Sequence, residues 1–194
     1  MENDQDIQVK EALPEYKKLY TYADYITWGD DERYEIIDGI PYKMSAPTTH
    51  HQSISVKLTV ELYGFLKNKS CKVFHAPYDV RLNADTYDNI IVQPDIVIIC
   101  DHTKITEACC VGAPDMVIEI LSPSTESHDK KLKINKYLQA GIREYWIIDP
   151  VGKSLTVYLL EEMYEVTHVY TAAEKVSVQI LPGCSIDLQE VFEE

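Results

Sequence analysis

A layered α/β fold with one mixed central sheet is what this sequence predicts, and three observations carry that prediction. Near-continuous apolar, β-branched runs read as strands buried on both faces. Segments with helical apolar spacing stand before and after those runs, and an Asp-Gly pair joins two short strand-like stretches near the start. Helix, three strands, helix, strand is an order that layers helices against a sheet.

The elements follow in turn. Thr21 with Asp24 three residues later has the spacing of a helix start, so residues 22–28 are expected to form a short helix. Residues 33–37 and 40–44 flank Asp38-Gly39, the strongest short-range signal for a two-residue hairpin. A helix opens within residues 47–51, and Ile54, Leu58, Leu62, Phe65 and Leu66 give it one apolar face. Strands are expected over residues 72–82, 92–100 and 115–121. The 14-residue connection from Asp101 to Pro114 is long for a structureless loop. A second helix over residues 127–140 stops at Gly141 and leads into a strand over 144–149 that Pro150 ends. Residues 154–160 and 164–170 form a C-terminal β-hairpin, and a short strand over 176–181 closes the chain.

Composition sets the limits. With 194 residues and 45% hydrophobic content the chain can bury a full core, and one domain over residues 16–194 is expected behind a flexible acidic arm over residues 1–15. No apolar run approaches the roughly 20 residues of a membrane span, so a soluble protein is expected, and the thiol content points to the cytoplasm. The five cysteines form an odd set without a Cys-x-x-Cys pair, which fits reduced thiols better than zinc or a disulfide framework. A net charge of −14 argues against tight backbone binding to nucleic acid, which relies on Lys and Arg. Charge is unevenly spread, however: Lys130, Lys131, Lys133, Lys136 and Arg143 form a local basic cluster.

Two acids stand out. Asp95 opens the run Ile96-Val97-Ile98-Ile99, and Glu119 interrupts Met116-Val117-Ile118 and Ile120-Leu121. A carboxylate in such a strand costs several kcal/mol unless a cation or a hydrogen-bond network offsets its desolvation. With Lys133 following in a polar helix, these are the parts of a metal-dependent phosphodiester hydrolase. The plainer alternatives are turn-capping or buried pairing of both acids with Lys133, and a simple i,i+4 helix pair between Lys133 and Asp129. Taken alone, His51 beside His50 reads as a surface or capping residue, and Glu35 as a solvent-facing hairpin residue.

Six ordered blocks then carry a resemblance: Tyr34-Glu35-Ile36-Ile37-Asp38-Gly39, His51-Gln52, Pro94-Asp95-Ile96-Val97, Gly112-Ala113-Pro114-Asp115, Glu119-Ile120-Leu121-Ser122-Pro123-Ser124-Thr125, and Glu144-Tyr145-Trp146-Ile147-Ile148-Asp149-Pro150. The chain resembles the PD-(D/E)XK nuclease superfamily and, more narrowly, the Uma-type restriction endonuclease family, over roughly residues 20–192. One departure stands out, since the lysine expected two residues after Glu119 is Leu121. The narrower family carries Asp, Lys and Tyr at spacings of four in the following helix, matched here by Asp129, Lys133 and Tyr137. By turn angle Lys133 falls at the rim of that helix's apolar side, from which its amine can reach the sheet.

The resemblance implies a restriction endonuclease-like sandwich, with Asp95 and Glu119 as ligands of Mg2+ or Mn2+ and Lys133 as replacement for the strand lysine. It further implies Glu35 as a candidate to complete the metal shell, His51 as a phosphate-binding or positioning group, and a homodimer cutting DNA. The alternative is a catalytically inactive nuclease-like module that binds nucleic acid or a protein partner, motivated by the net charge and by Leu121.

Overall fold

The structure, a computed structural model, describes residues 18–29, 32–122, 129–165 and 167–193. The expected acidic arm over residues 1–15 lies outside them, as do residues 127 and 128 of the second expected helix.

Local chemistry sets the early elements. Helix α1 (Tyr22–Tyr25) starts at Thr21, whose backbone N–H donates to Asp24 Oδ2 at 3.0 Å. Strands β1 (Tyr34–Ile37) and β2 (Ile40–Lys43) close the hairpin with Ile37 opposite Ile40. Asp38 and Gly39 have φ of 52° and 78°, the left-handed pair that a two-residue turn of the right twist requires. Helix α2 (Thr49–Leu66) is capped by the Thr48 hydroxyl, which accepts from His51 N at 3.2 Å. Its Ile54, Leu58, Leu62 and Leu66, four apart, are buried.

Both long strands expected in the middle of the chain are divided. Residues 72–82 become β3 (Lys72–His75) and β4 (Asp79–Arg81), and residues 92–100 become β5 (Ile91–Val92) and β6 (Ile96–Ile99). Pro77 and Pro94 stand at the breaks, where a residue without an N–H cannot continue a ladder. The breaks are tied together, with Ala76 N donating to Asp95 O at 2.9 Å. The long connection holds a 3-10 turn (His102–Lys104) and β7 (Cys109–Val111), which accounts for its length.

The later elements are β8 (Met116–Ile120), α3 (Asp129–Ala140), β9 (Glu144–Asp149), β10 (Ser154–Leu159), β11 (Thr167–Thr171), β12 (Lys175–Ser177), β13 (Ser185–Asp187) and α4 (Leu188–Phe192). The strand expected over 176–181 ends at Ser177 and pairs with β13. Neither β13 nor α4 is long enough to show a periodic signal.

The central sheet runs β11-β10-β9-β8-β6-β3, and a second sheet runs β2-β1-β5-β4-β7. The central sheet is mixed because β8 and β9, joined through α3, are parallel while their neighbours are antiparallel. Alternation divides its side chains between two cores. Ile96, Ile98, Met116, Ile118, Ile120 and Trp146 pack with α2 and α4. Val97, Ile99, Val117, Tyr145 and Ile147 pack with α3 and the second sheet.

The expectation of a wholly reduced cysteine set is corrected. Cys71 and Cys100 form a disulfide, leaving Cys109, Cys110 and Cys184 free and buried. Tertiary register brings the pair together: Lys72 pairs with Ile99, so the residues just outside that pair face each other with Cα atoms 3.9 Å apart.

Candidate active site

Strand period places the first acid. Val117 and Leu121 pack into the core beneath α3 while Ile118 and Ile120 face α2, so Glu119 points toward α3. Two residues on that helix, one turn apart, meet it: Lys133 Nζ lies 3.1 Å and the Tyr137 hydroxyl 2.6 Å from Glu119 Oε1. Lys133 Nζ is also 2.8 Å from both carboxylate oxygens of Glu35, on β1. A lysine expected at the rim is thus only 8% exposed, because two acids replace the water it loses. Leu121, in the place of the strand lysine, packs against the same core.

The second acid is held from the other side. Asp95 leads into β6, and its Oδ2 accepts from Ile120 N at 2.7 Å and meets His51 Nε2 at 3.1 Å. His51 sits in the first turn of α2, with its Nδ1 buried and lacking a partner among the described residues. Glu35, His51, Asp95, Glu119 and Lys133 all line one cavity of about 370 Å³. Tyr137 is fully buried and reaches the group through Glu119. Asp129 is the first residue of α3, and its side chain lies outside the described part of the structure.

Burial dominates the electrostatics. It pushes the Glu119 carboxyl up to about 7, with the Lys133 ammonium opposing the rise and the Asp95 and Glu35 charges adding to it. Burial alone would lower the Lys133 amine, but the charges of Glu119 and Glu35 outweigh it and the net shift is upward. His51 behaves likewise, raised on balance by the hydrogen bond and charge of Asp95 despite its burial. Burial raises the Tyr137 phenol well above its ordinary range, so it stays a hydrogen-bond donor.

The donor set fits a hard divalent ion. Among the described residues the hydrogen bonds to Asp95 fall on Oδ2 and those to Glu119 on Oε1, which leaves one oxygen of each carboxylate open. No group of three or more His, Cys, Asp or Glu side chains in metal-holding geometry occurs among the described residues. Two carboxylates suffice for Mg2+, which keeps several waters and shares substrate phosphates. Glu35 is engaged otherwise, with Lys133 and with the N–H of Gln93 at 2.8 Å.

A polar cluster beside these residues escaped the sequence reading. Gln93 is 7% exposed. Its side-chain oxygen accepts from Arg33 Nε at 2.9 Å and Nη2 at 2.6 Å, and its nitrogen donates to Asp79 Oδ1 at 2.7 Å and to the Tyr25 hydroxyl at 3.1 Å. No local signal marks this cluster, because Arg33 and Gln93 both lie just outside the strands β1 and β5.

The sequence matches Uma2, described as "Putative restriction endonuclease", over residues 13–189. The chain belongs to the Uma2 family. The "Uncharacterized protein slr1290" of Synechocystis sp. is 25% identical over 139 residues, covering 70% of this chain and 71% of that protein. A crystal structure of "a putative nuclease belonging to DUF820" from Anabaena variabilis superposes with a TM-score of 0.73 at 21% identity, over 89% of this chain and 97% of that one. The fold is therefore the restriction endonuclease-like sandwich, in keeping with the PD-(D/E)XK superfamily. No helix among the described residues is long and apolar enough to cross a membrane.

Proposed function

We propose that this Uma2 protein is an endonuclease that uses Mg2+ or Mn2+ to hydrolyse phosphodiester bonds of DNA, with a homodimer addressing both strands. The observation that carries the reading is the convergence of Asp95, just before β6, Glu119 on β8 and Lys133 on α3 on one cavity. Asp95 and Glu119 would hold the ion through their open oxygens. When bound, such an ion supplies Lewis-acid polarisation and favours ionised water.

The protein's own groups do the rest. Lys133 keeps a fixed positive charge where negative charge grows in the transition state, a preorganised contribution that needs no covalent intermediate. Glu35 accepts from it at 2.8 Å and so fixes the ammonium's position. The Tyr137 hydroxyl and the Ile120 N–H orient Glu119 and Asp95. His51 meets Asp95 Oδ2 from the first turn of α2, and the charge of Asp95 favours its protonated form.

Plasmid nicking in Mg2+ and in Mn2+ tests the reading. Wild type should nick, whereas Asp95→Asn and Glu119→Gln should each lose about 100-fold or more, the scale of removing a catalytic electrostatic group. Mn2+ should raise the melting temperature of wild type more than of either variant. An inactive wild type whose melting temperature ignores both metals favours a second reading, a binding module on a nuclease scaffold. That reading draws on Leu121 and on the lack of a third ligand among the described residues.

A further inference from the structure

The cavity wall carries three basic side chains, Arg33, Lys43 and Lys133, against three acids, Glu35, Asp95 and Glu119. Two of the three cations are already neutralised. Lys133 lies between Glu35 and Glu119, and Lys43 pairs with Glu32. His51, a fourth group able to carry charge, faces Asp95. Arg33 differs, because no carboxylate among the described residues is within ion-pair distance of it, and its fork is held by the neutral amide of Gln93.

That amide has one satisfied orientation. Its nitrogen must face the acceptor Asp79 and its oxygen the donor Arg33, since a carboxylate only accepts and a guanidinium only donates. Asp79 and Tyr25 therefore fix Gln93, and Gln93 in turn fixes Arg33 through Nε and Nη2. Among the described residues Nη1 has no acceptor, and Arg33 lines the cavity half-buried. A guanidinium held by a neutral amide, with no carboxylate in direct contact among the described residues, suits planar recognition of a phosphate.

We propose that Arg33, held by Gln93, binds a phosphate of the substrate backbone in this cavity. The proposal deepens the nuclease reading and rests on it for the identity of the substrate. It also bears on the net charge of −14: in a chain this acidic, backbone binding needs cations that are not already in direct contact with a carboxylate.

Titration of the metal-free protein with inorganic phosphate tests the site, calorimetrically and alongside plasmid nicking. Arg33→Gln should bind phosphate about tenfold more weakly or worse, the loss expected of a charge-assisted hydrogen bond. Arg33→Lys keeps the charge without the fork and should fall between, which also covers failure of the glutamine variant to fold. Lys175→Gln, on β12 outside the cavity, removes an equal charge and should bind as wild type does. On duplex DNA the slope of log affinity against log salt should shrink by about one in Arg33→Gln. Equal phosphate affinity in wild type and Arg33→Gln, or none in wild type, overturns the proposal. Phosphate binding that depends on Arg33 without nicking by wild type upholds the site and refutes the nuclease reading instead.

Discussion

Replacing Lys133 by methionine tests the centre of the site most directly, because it removes the cation and keeps the stem. Two carboxylates, Glu35 and Glu119, then lose an ammonium at 2.8 Å and 3.1 Å in a buried setting. Breaking a buried pair from one side costs about 3–5 kcal/mol when the remaining charge has no other partner. The cost must depend on pH, and its sign follows from Glu119. Its folded-state carboxyl stands at about 7 against an ordinary value of 4.5. A carboxyl raised by folding holds its proton more tightly in the native state, so this group's contribution to stability is greatest at low pH and declines as pH climbs through that interval. Lys133 holds Glu119 down; without it the interval extends further upward and the decline deepens. Urea unfolding in EDTA should give a smaller difference between wild type and Lys133→Met near pH 5, where Glu119 is neutral and only Glu35 loses its partner, than near pH 8, where it should reach about 3–5 kcal/mol. For a chain of this length the latter corresponds to a melting-temperature loss of about 10 °C. Adding Glu35→Gln should restore part of the loss near pH 8. An equal cost at both pH values, or one below about 1 kcal/mol near pH 8, would refute the buried-triad account.

Two further outcomes follow. Tyr137→Phe keeps the ring against Tyr145, at a centroid separation of 4.9 Å, and removes only the 2.6 Å hydrogen bond to Glu119. The expected cost is about 1.5–3 kcal/mol, with a further rise of the Glu119 carboxyl visible in a carbon-13 NMR titration; a carboxyl that does not move refutes the contact. Alkylation of the denatured, unreduced protein should label three of the five cysteines, with Cys71 and Cys100 protected until a reductant is added. Five labelled thiols would refute the disulfide.

The sheet bends that build the cavity explain much of what stayed hidden in the sequence. Residues 92–100 read as one strand, yet Gln93-Pro94-Asp95 lies between β5 in one sheet and β6 in the other. Asp95 thereby leaves the regular ladder and reaches back to Ile120 N and His51. The same break turns Gln93 toward Arg33, Asp79 and Tyr25, residues that lie 60, 14 and 68 positions away along the chain. Local pattern carries no information about partners so distant.

By itself the sequence determined the elements whose causes are local: the capping box of Thr21 and Asp24, the Asp38-Gly39 turn, the four-residue apolar repeat of α2, the stop at Gly141, and the burial of the Glu119 strand. It also placed Lys133 and Tyr137 on one side of α3, because helical spacing is a local property. Tertiary structure alone decided that Glu35 clamps Lys133, that His51 meets Asp95, and that Cys71 faces Cys100. Those contacts depend on which strands pair and in what register, and sheet pairing is set by packing across the whole chain.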